Sequence, residues 1–180
     1  MIGTTDPPVE LVLTVPEPYS GSIAYKARCR TTIGVLIQLI TEAERFVIIA
    51  APFIQAAYGL STRVIIDALS SALCRGVDID VLSTSKGLQA IDRDKLMHAA
   101  KGRLRFFQPV PHREDEQQLG SHAKFCISDG ERAYVGSANL TCHGLSGQVE
   151  MGVLIRGSVA HQIKDFWDYA VEVGLYIPSQ

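Results

Sequence analysis

The run Arg45-Phe46-Val47-Ile48-Ile49-Ala50-Ala51, closed by Pro52, constrains the fold more than any other stretch. It has no polar side chain after Arg45, so a strand made from it presents apolar groups on both faces and must be covered on both. Val77 to Ser83 and Arg103 to Phe107 read as two further strands. Helix patterns precede and separate them. Thr31 or Thr32 caps a helix carrying Ile33, Leu36, Ile37 and Ile40 that ends near Glu44. Ser61 or Thr62 opens another, with Val64, Ile65, Ala68, Leu69, Ala72 and Leu73 on one side and Gly76 as its stop. Asp92 to Lys101 reads as a short helix ended by Gly102. This alternation predicts an α/β fold with a mixed, mostly parallel central sheet flanked by helices.

The second half is patterned differently. Pro109 to Leu119 is a polar loop, and the next residues alternate, turn at Asp129-Gly130 and alternate again, the form of a β-hairpin. Thr141 to Gly147 is a loop, Val149 to Ile155 a strand with Glu150 near its start, and His161 to Val173 an amphipathic closing helix with Ile163, Phe166, Trp167, Ala170 and Val171 on its apolar side. Residues 1–24, rich in Pro, Thr and Gly, read as an arm or edge strand, and residues 25–180 as one domain. A length of 180 residues with 47% hydrophobic content suits one sizeable core.

Alternation along the first arm of the hairpin puts Ala123, Phe125 and Ile127 on a core-facing side, and His122, Lys124, Cys126 and Ser128 on the other. An imidazole and an ammonium are then side by side, a pairing suited to an anion. With a two-residue turn, Ser128 faces Glu131 and His122 faces Ser137, with Asn139 just beyond; a bulge shifts this count by one.

The pattern His122-x-Lys124-x4-Asp129-x6-Gly136-Ser137-x-Asn139 resembles the HKD motif of the phospholipase D superfamily, and Glu150 resembles the acidic residue that follows it in the nuclease-like members. Thr32 to Pro52 is similar to the opening of such domains. One such motif is present. The resemblance implies a phospholipase D-like fold and a metal-independent phosphodiesterase similar to the small nucleases with a single HKD motif, needing no cofactor. In it His122, Lys124, Asn139 and Glu150 are the catalytic candidates, and Ser137, Lys124 and Asn139 the substrate-binding ones. Asp129 and Gly136 have structural roles. The resemblance further implies a homodimer whose cleft holds a His122 from each protomer. Its interface would run beside the motif, with residues such as Tyr134 and Leu140 covered by the partner.

The residue types suit that chemistry. A neutral imidazole can attack phosphorus and hold it covalently. Lys124 and Asn139 can serve the non-bridging oxygens as charge builds on them. Glu150 can orient an active-site imidazole through its far nitrogen. Asp129, in the turn, is seven residues from His122, over ~20 Å of extended strand at ~3.3 Å per residue, which argues against a direct part in catalysis. Departure of the leaving oxygen calls for a second imidazole. His98, His112, His143 and His161 lack motif context and read as structural.

A net charge of −2 gives no global basic field for nucleic acid, so local potential matters more, and Lys101, Arg103 and Arg105 lie before the motif. Cys29, Cys74, Cys126 and Cys142 form no C-x-x-C pair and read as reduced thiols. The run Glu114-Asp115-Glu116 reads as solvated carboxylates rather than a metal site. With no basic-then-apolar start and no long apolar stretch, the expected setting is cytoplasmic, without stable membrane association. Nucleic acid, DNA or RNA, is the expected substrate. The alternatives are phospholipid hydrolysis or transfer, and a nucleic-acid-binding component of a multi-protein bacterial defence or DNA-processing assembly. Strand number, endo or exo action and sequence preference stay open.

Overall fold

The structure is a computed structural model that describes residues 7–55, 63–110 and 120–179. Its strands are β1 (Val9–Thr14), β2 (Arg30–Thr31), β3 (Phe46–Ala50), β4 (Asp78–Leu82), β5 (Leu104–Pro109), β6 (Phe125–Ser128), β7 (Arg132–Gly136), β8 (Glu150–Arg156) and β9 (Tyr176–Ser179). The helices are α1 (Ser20–Ala27), α2 (Thr32–Thr41), α3 (Arg63–Arg75), α4 (Ser85–Gln89), α5 (Arg93–Met97) and α6 (Ser158–Glu172). All nine strands join one sheet in the order β2-β1-β8-β7-β6-β3-β4-β5-β9.

The expected mixed sheet between helices is present, but parallel pairing is not its majority. β3, β4 and β5 are parallel neighbours, as are β1 and β2, and every other adjacent pair is antiparallel. The reason is the hairpin. β6 lies antiparallel against β3, and β7, β8 and β1 then follow antiparallel in turn. β3 to β5 keep the crossover arrangement that the strand-helix alternation announces, and β1 and β2, joined through α1, add one more parallel pair.

Both faces of the central strands are covered, as the Phe46 to Ala51 run demands. Val47 and Ile49 join the core beneath α2 and α3 with Leu39, Leu69 and Leu73, whereas Ile48 and Ala50 point to the other core, beneath α6, with Ile127 and Trp167. Trp167 stands edge-on to Phe107 at 5.1 Å and to Phe125 at 6.4 Å between ring centroids, so one large side chain ties α6 to two strands.

The ends of elements follow local chemistry. Thr31 caps α2 by accepting from Gly34 N at 3.3 Å, and Asp92 caps α5 by accepting from Lys95 N at 3.0 Å. Gly76, at φ 98°, ends α3. The helix expected over Asp92 to Lys101 is shortened to Arg93–Met97. Val9–Thr14 is a strand but not an edge, since β2 lies outside it, and α1 begins within the expected arm and runs past its boundary at residue 24 to Ala27. Ser61, Thr62 and Glu114-Asp115-Glu116 lie outside the described residues. Among the described residues, no helix is long and apolar enough to cross a membrane, and no cluster of three His, Cys, Asp or Glu is placed to hold a metal. The four cysteines are free thiols.

Candidate active site at the carboxyl edge of the sheet

Strand directions bring the candidate residues to one edge. Ala50 pairs with Leu82 across β3 and β4 and with Phe125 across β3 and β6, so the start of β6 lies beside the carboxyl ends of β3 and β4. Open α/β sheets bind ligands at that edge. The end of β7 and the start of β8 reach it too, because Gly136 pairs with Gly152 and its N–H donates to Lys124 O at 3.2 Å.

The turn and the register differ by the one residue a bulge adds. Asp129 and Gly130 have φ of 56° and 77°, and Glu131 N donates to Ser128 O at 3.1 Å, as a tight primed turn requires. Yet Ser128 pairs with Arg132, not Glu131. Glu131 O instead accepts from Gly157 N at 3.0 Å, just before α6, which takes this residue out of the ladder. His122 therefore does not face Ser137. It lies before the start of β6, where the paired strand has ended. The side reserved for His122 and Lys124 is open only there, because Cys126 and Ser128 on the same side are buried, and Ala123 is exposed. Burial pushes the Cys126 thiol up to about 12, which leaves it inert.

Lys124 is buried at 7% exposure, and among the described residues the hydrogen bonds of its ammonium all go to His122. Its Nζ donates to His122 O at 2.9 Å and stands 3.2 Å from Nδ1 and 3.3 Å from Nε2. Burial pulls its pKa below the ordinary lysine value, against an opposing pull from the Glu150 carboxylate. An ammonium held partly out of water attracts an anion more strongly than a solvated one.

Glu150 is buried as well, and its two carboxylate oxygens accept from Ser137 Oγ and from Gln148 Nε2. Ser137 Oγ also accepts from Met151 N at 3.1 Å, so the hydroxyl, the carboxylate and the start of β8 form one unit. Within this chain the carboxylate bonds these two groups rather than His122.

Asn139 is positioned by its backbone neighbours. Leu140 N donates to Phe53 O, and Gln55 N to Leu140 O, both at 3.2 Å, which fastens the end of the motif to the segment after β3. The chain from His143 to Gly147 forms a π-helical turn, and a Cβ on Gly144 would lie 2.3 Å from Asn139 O, so only glycine allows this approach. Asn139 Oδ1 is buried with no hydrogen-bond partner among the described residues.

Gly136 has a similar cause. A Cβ there would meet Tyr134 Oη at 2.3 Å, and one on Gly152 would meet the same ring at 2.6 Å, so the ring occupies the space both side chains would need. Tyr134 and Leu140, expected to be exposed for a partner, are 2% and 4% exposed and belong to this protomer's core. Exposed apolar residues beside the site are instead Val149 and Met151, which flank Glu150.

Asp129 stands at the far end of β6. Its carboxylate accepts from the backbone N–H groups of Glu44, Arg45 and Phe46 at 2.9, 2.8 and 3.0 Å, and its carbonyl accepts from Arg45 Nη2 at 2.6 Å. Arg103 and Arg105 do not supply potential to the site. Arg103 bonds Asp78, and Arg105 bonds Asp80 with both contacts at 2.7 Å. The Arg103 guanidinium holds Asp78 below the ordinary carboxylate value, while burial raises Asp80 against the pull of Arg105.

A cleft of about 390 Å³ adjoins the motif at Asn139, lined also by Phe53, Gln55, Thr84, His143 and Gln148. None of these neighbours stands out in the sequence except by following β3, β4 or the motif, the places where loops of this edge begin.

The family model for the phospholipase D-like domain of cardiolipin synthase matches residues 36–169. A protein of Bacillus paralicheniformis named DISARM protein DrmC is 26% identical over 165 residues, covering 87% of this chain and 60% of its own length. The chain thus spans about three-fifths of that relative. NucT from Helicobacter pylori has a similar structure, with a TM-score of 0.63 at 14% identity over 95% of this chain and 99% of its own. Nuc from Salmonella typhimurium, a phospholipase D family member, gives 0.62 at 19% identity over 96% and 97%. The family model spans β3 to β8, with the hairpin and the motif described above, and the chain belongs to the phospholipase D-like family.

Proposed function

We propose that the chain is a metal-independent nuclease that cleaves phosphodiester bonds through a phosphohistidine at His122, as a homodimer. The observation that carries this reading is the buried Lys124 ammonium held against both ring nitrogens of His122, at an edge shared with Ser137, Glu150 and Asn139. A neutral His122 nitrogen attacks phosphorus, and a P–N bond forms as the bond to the leaving oxygen breaks. Lys124 and Asn139 stabilise the non-bridging oxygens. The leaving oxygen takes a proton from His122 of the partner subunit. That imidazole, now neutral, removes a proton from water, whose oxygen attacks phosphorus and breaks the P–N bond. Over the cycle the proton given to the leaving oxygen is replaced by one from water, so both imidazoles return to their starting states.

Several features support the arrangement. Asn139 Oδ1 is an acceptor buried without a partner among the described residues, at a cost of about 1–3 kcal/mol, so the group that Asn139 offers a phosphate oxygen is its amide nitrogen. Ser137 bonded to Glu150 fixes the turn that presents Asn139. Val149 and Met151, 68% and 60% exposed beside Glu150, offer apolar surface for a twofold partner next to the cleft. Structural likeness to proteins named Nuc and NucT favours nucleic acid over phospholipid, and among the described residues no amphipathic lid stands over the edge. The likeness to DISARM protein DrmC favours a second reading, that the chain acts as one component of a larger assembly.

The test is incubation of the wild type and His122→Ala with labelled DNA, RNA and phospholipid in EDTA. Cleavage of nucleic acid by the wild type alone is expected. Dependence on added magnesium or manganese, or an active His122→Ala protein, refutes the reading.

A further inference from the structure

We infer that the cleft beside Asn139 is a nucleobase site, taking an unpaired base next to the phosphate held by the motif, so that the chain selects single strands. This rests on the nucleic-acid reading above and narrows its substrate class.

The cleft's position makes the first argument. Asn139 belongs both to the motif and to the cleft wall, so a nucleotide whose phosphate meets its amide has its base at the cleft mouth. At about 390 Å³ the cleft falls within the ~300–1,000 Å³ of small-ligand pockets, enough for one planar ring and too small for a paired duplex.

Its chemistry makes the second. The walls carry two aromatic rings, Phe53 and His143, and three carboxamides, Gln55, Asn139 and Gln148, and no carboxylate among the described residues. Rings on which a base can stack and amides offering both donors and acceptors to a base edge are what base recognition uses. An acyl chain would call for an uninterrupted apolar wall instead. Among the described residues, each flanking glutamine makes a side-chain hydrogen bond at one end of its amide and none at the other. Gln55 Oε1 accepts from Cys142 N at 3.3 Å, which orients its amide nitrogen, and Gln148 Nε2 donates to Glu150, which orients its oxygen. The cleft therefore presents a fixed donor and a fixed acceptor. Through Gln148 and Glu150, the latter also bonded by Ser137, base contact is linked to the motif itself.

A base within a duplex cannot enter such a pocket without leaving its stack and partner, which costs a few kcal/mol. Single strands carry no pairing penalty.

The test measures binding rather than turnover. Fluorescence anisotropy of His122→Ala with a labelled short single strand is compared with the same strand carrying abasic sites, and with its duplex. Both changes are expected to weaken binding about tenfold or more. Gln55→Ala and Phe53→Leu, each made in the His122→Ala protein, should bring intact strands down to the abasic level and erase the difference between them. Abasic and intact strands binding the unaltered cleft equally, or duplex binding as tightly as single strand, overturns the inference without any variant. The two readings fail separately. Base-dependent binding with no hydrolysis by the wild type would leave the cleft standing and remove the nuclease, whereas hydrolysis with base-independent binding would do the reverse.

Discussion

Replacing Asp129 tests whether the motif's aspartate is an anchor or a catalyst. Its carboxylate holds three successive backbone N–H groups at the entry to β3, those of Glu44 and Arg45 in exposed positions and that of Phe46 half-buried. After Asp129→Ala, water can replace the first two bonds, at about 0.5–1 kcal/mol each, while the third loses about 1–2 kcal/mol. Alanine also has to adopt the left-handed φ of 56°, which adds about 1 kcal/mol. The expected loss is about 3–5 kcal/mol. Asp129→Asn separates these causes. Asparagine accepts positive φ readily, and one oxygen can keep both bonds that Oδ1 makes, to Arg45 and Phe46, so only the Glu44 bond is lost, for about 1 kcal/mol. Urea unfolding at neutral pH reads the difference. With a slope near ~2.5 kcal/mol per molar, the Asp129→Ala midpoint should fall by about 1.5 M and the Asp129→Asn midpoint by less than about 0.5 M. The Asp129→Asn enzyme should also keep its turnover, since the turn lies at the far end of β6 from His122. The reasoning is refuted if both variants unfold within about 1 kcal/mol of the wild type, or if Asp129→Asn abolishes turnover while leaving stability intact.

Other consequences are as direct. Lys124 must be charged to hold an anion and its pKa lies below the ordinary 10.5, so activity should fall as pH rises through a value under 10.5; Lys124→Arg should remove that alkaline limb, and an unchanged limb counts against this role. Gly136→Ala should cost about 1–3 kcal/mol in thermal melts because its Cβ meets Tyr134, and Tyr134→Leu in the same chain should recover part of it; strictly additive losses would exclude the clash. Mixing wild type with an excess of His122→Ala should poison activity, because a heterodimer has one imidazole where two are used. Activity proportional to the wild-type subunits, or a fully active monomer in sedimentation, would disprove the shared cleft.

The strands and helices were legible where one force decides. Phe46 to Ala50 has no polar face, so it could only be covered on both sides, and Thr31 can satisfy a helix end by its own hydroxyl. The pairing direction was less legible because it depends on contacts distant in sequence. Nothing within Phe125–Ser128 says that it will lie against β3 and turn a run of parallel strands into a mixed sheet. The register was legible only to within one residue, for the same reason. Asp129 and Gly130 do form the tight turn, but the carbonyl of Glu131 finds its partner at Gly157 and drops out of the ladder. Tyr134 misled differently. An aromatic residue near the motif suggested an interface, yet the two glycines beside it, Gly136 and Gly152, were the local sign that its ring lies flat within the sheet. The cleft had no sequence signature, since Phe53, Gln55 and His143 are ordinary loop residues until the fold gathers them.

The position of Asp129, at the opposite end of β6 from His122 and Lys124, then has a mechanical explanation. β6 is short and its residues are buried on both faces, so it behaves as a rigid bar between two ends. At one end Asp129 fastens it to the backbone of residues 44–46, and at the other it delivers Lys124 and His122 to the carboxyl edge. A slip of the bar by one residue would turn Lys124 to the opposite face, because side chains alternate along a strand. Three directed hydrogen bonds at the turn oppose such a slip more effectively than apolar packing alone, which tolerates sliding among Phe125, Cys126 and Ile127. On the proposed reading the aspartate acts by fixing strand register, and its replacement should be felt in stability before it is felt in chemistry.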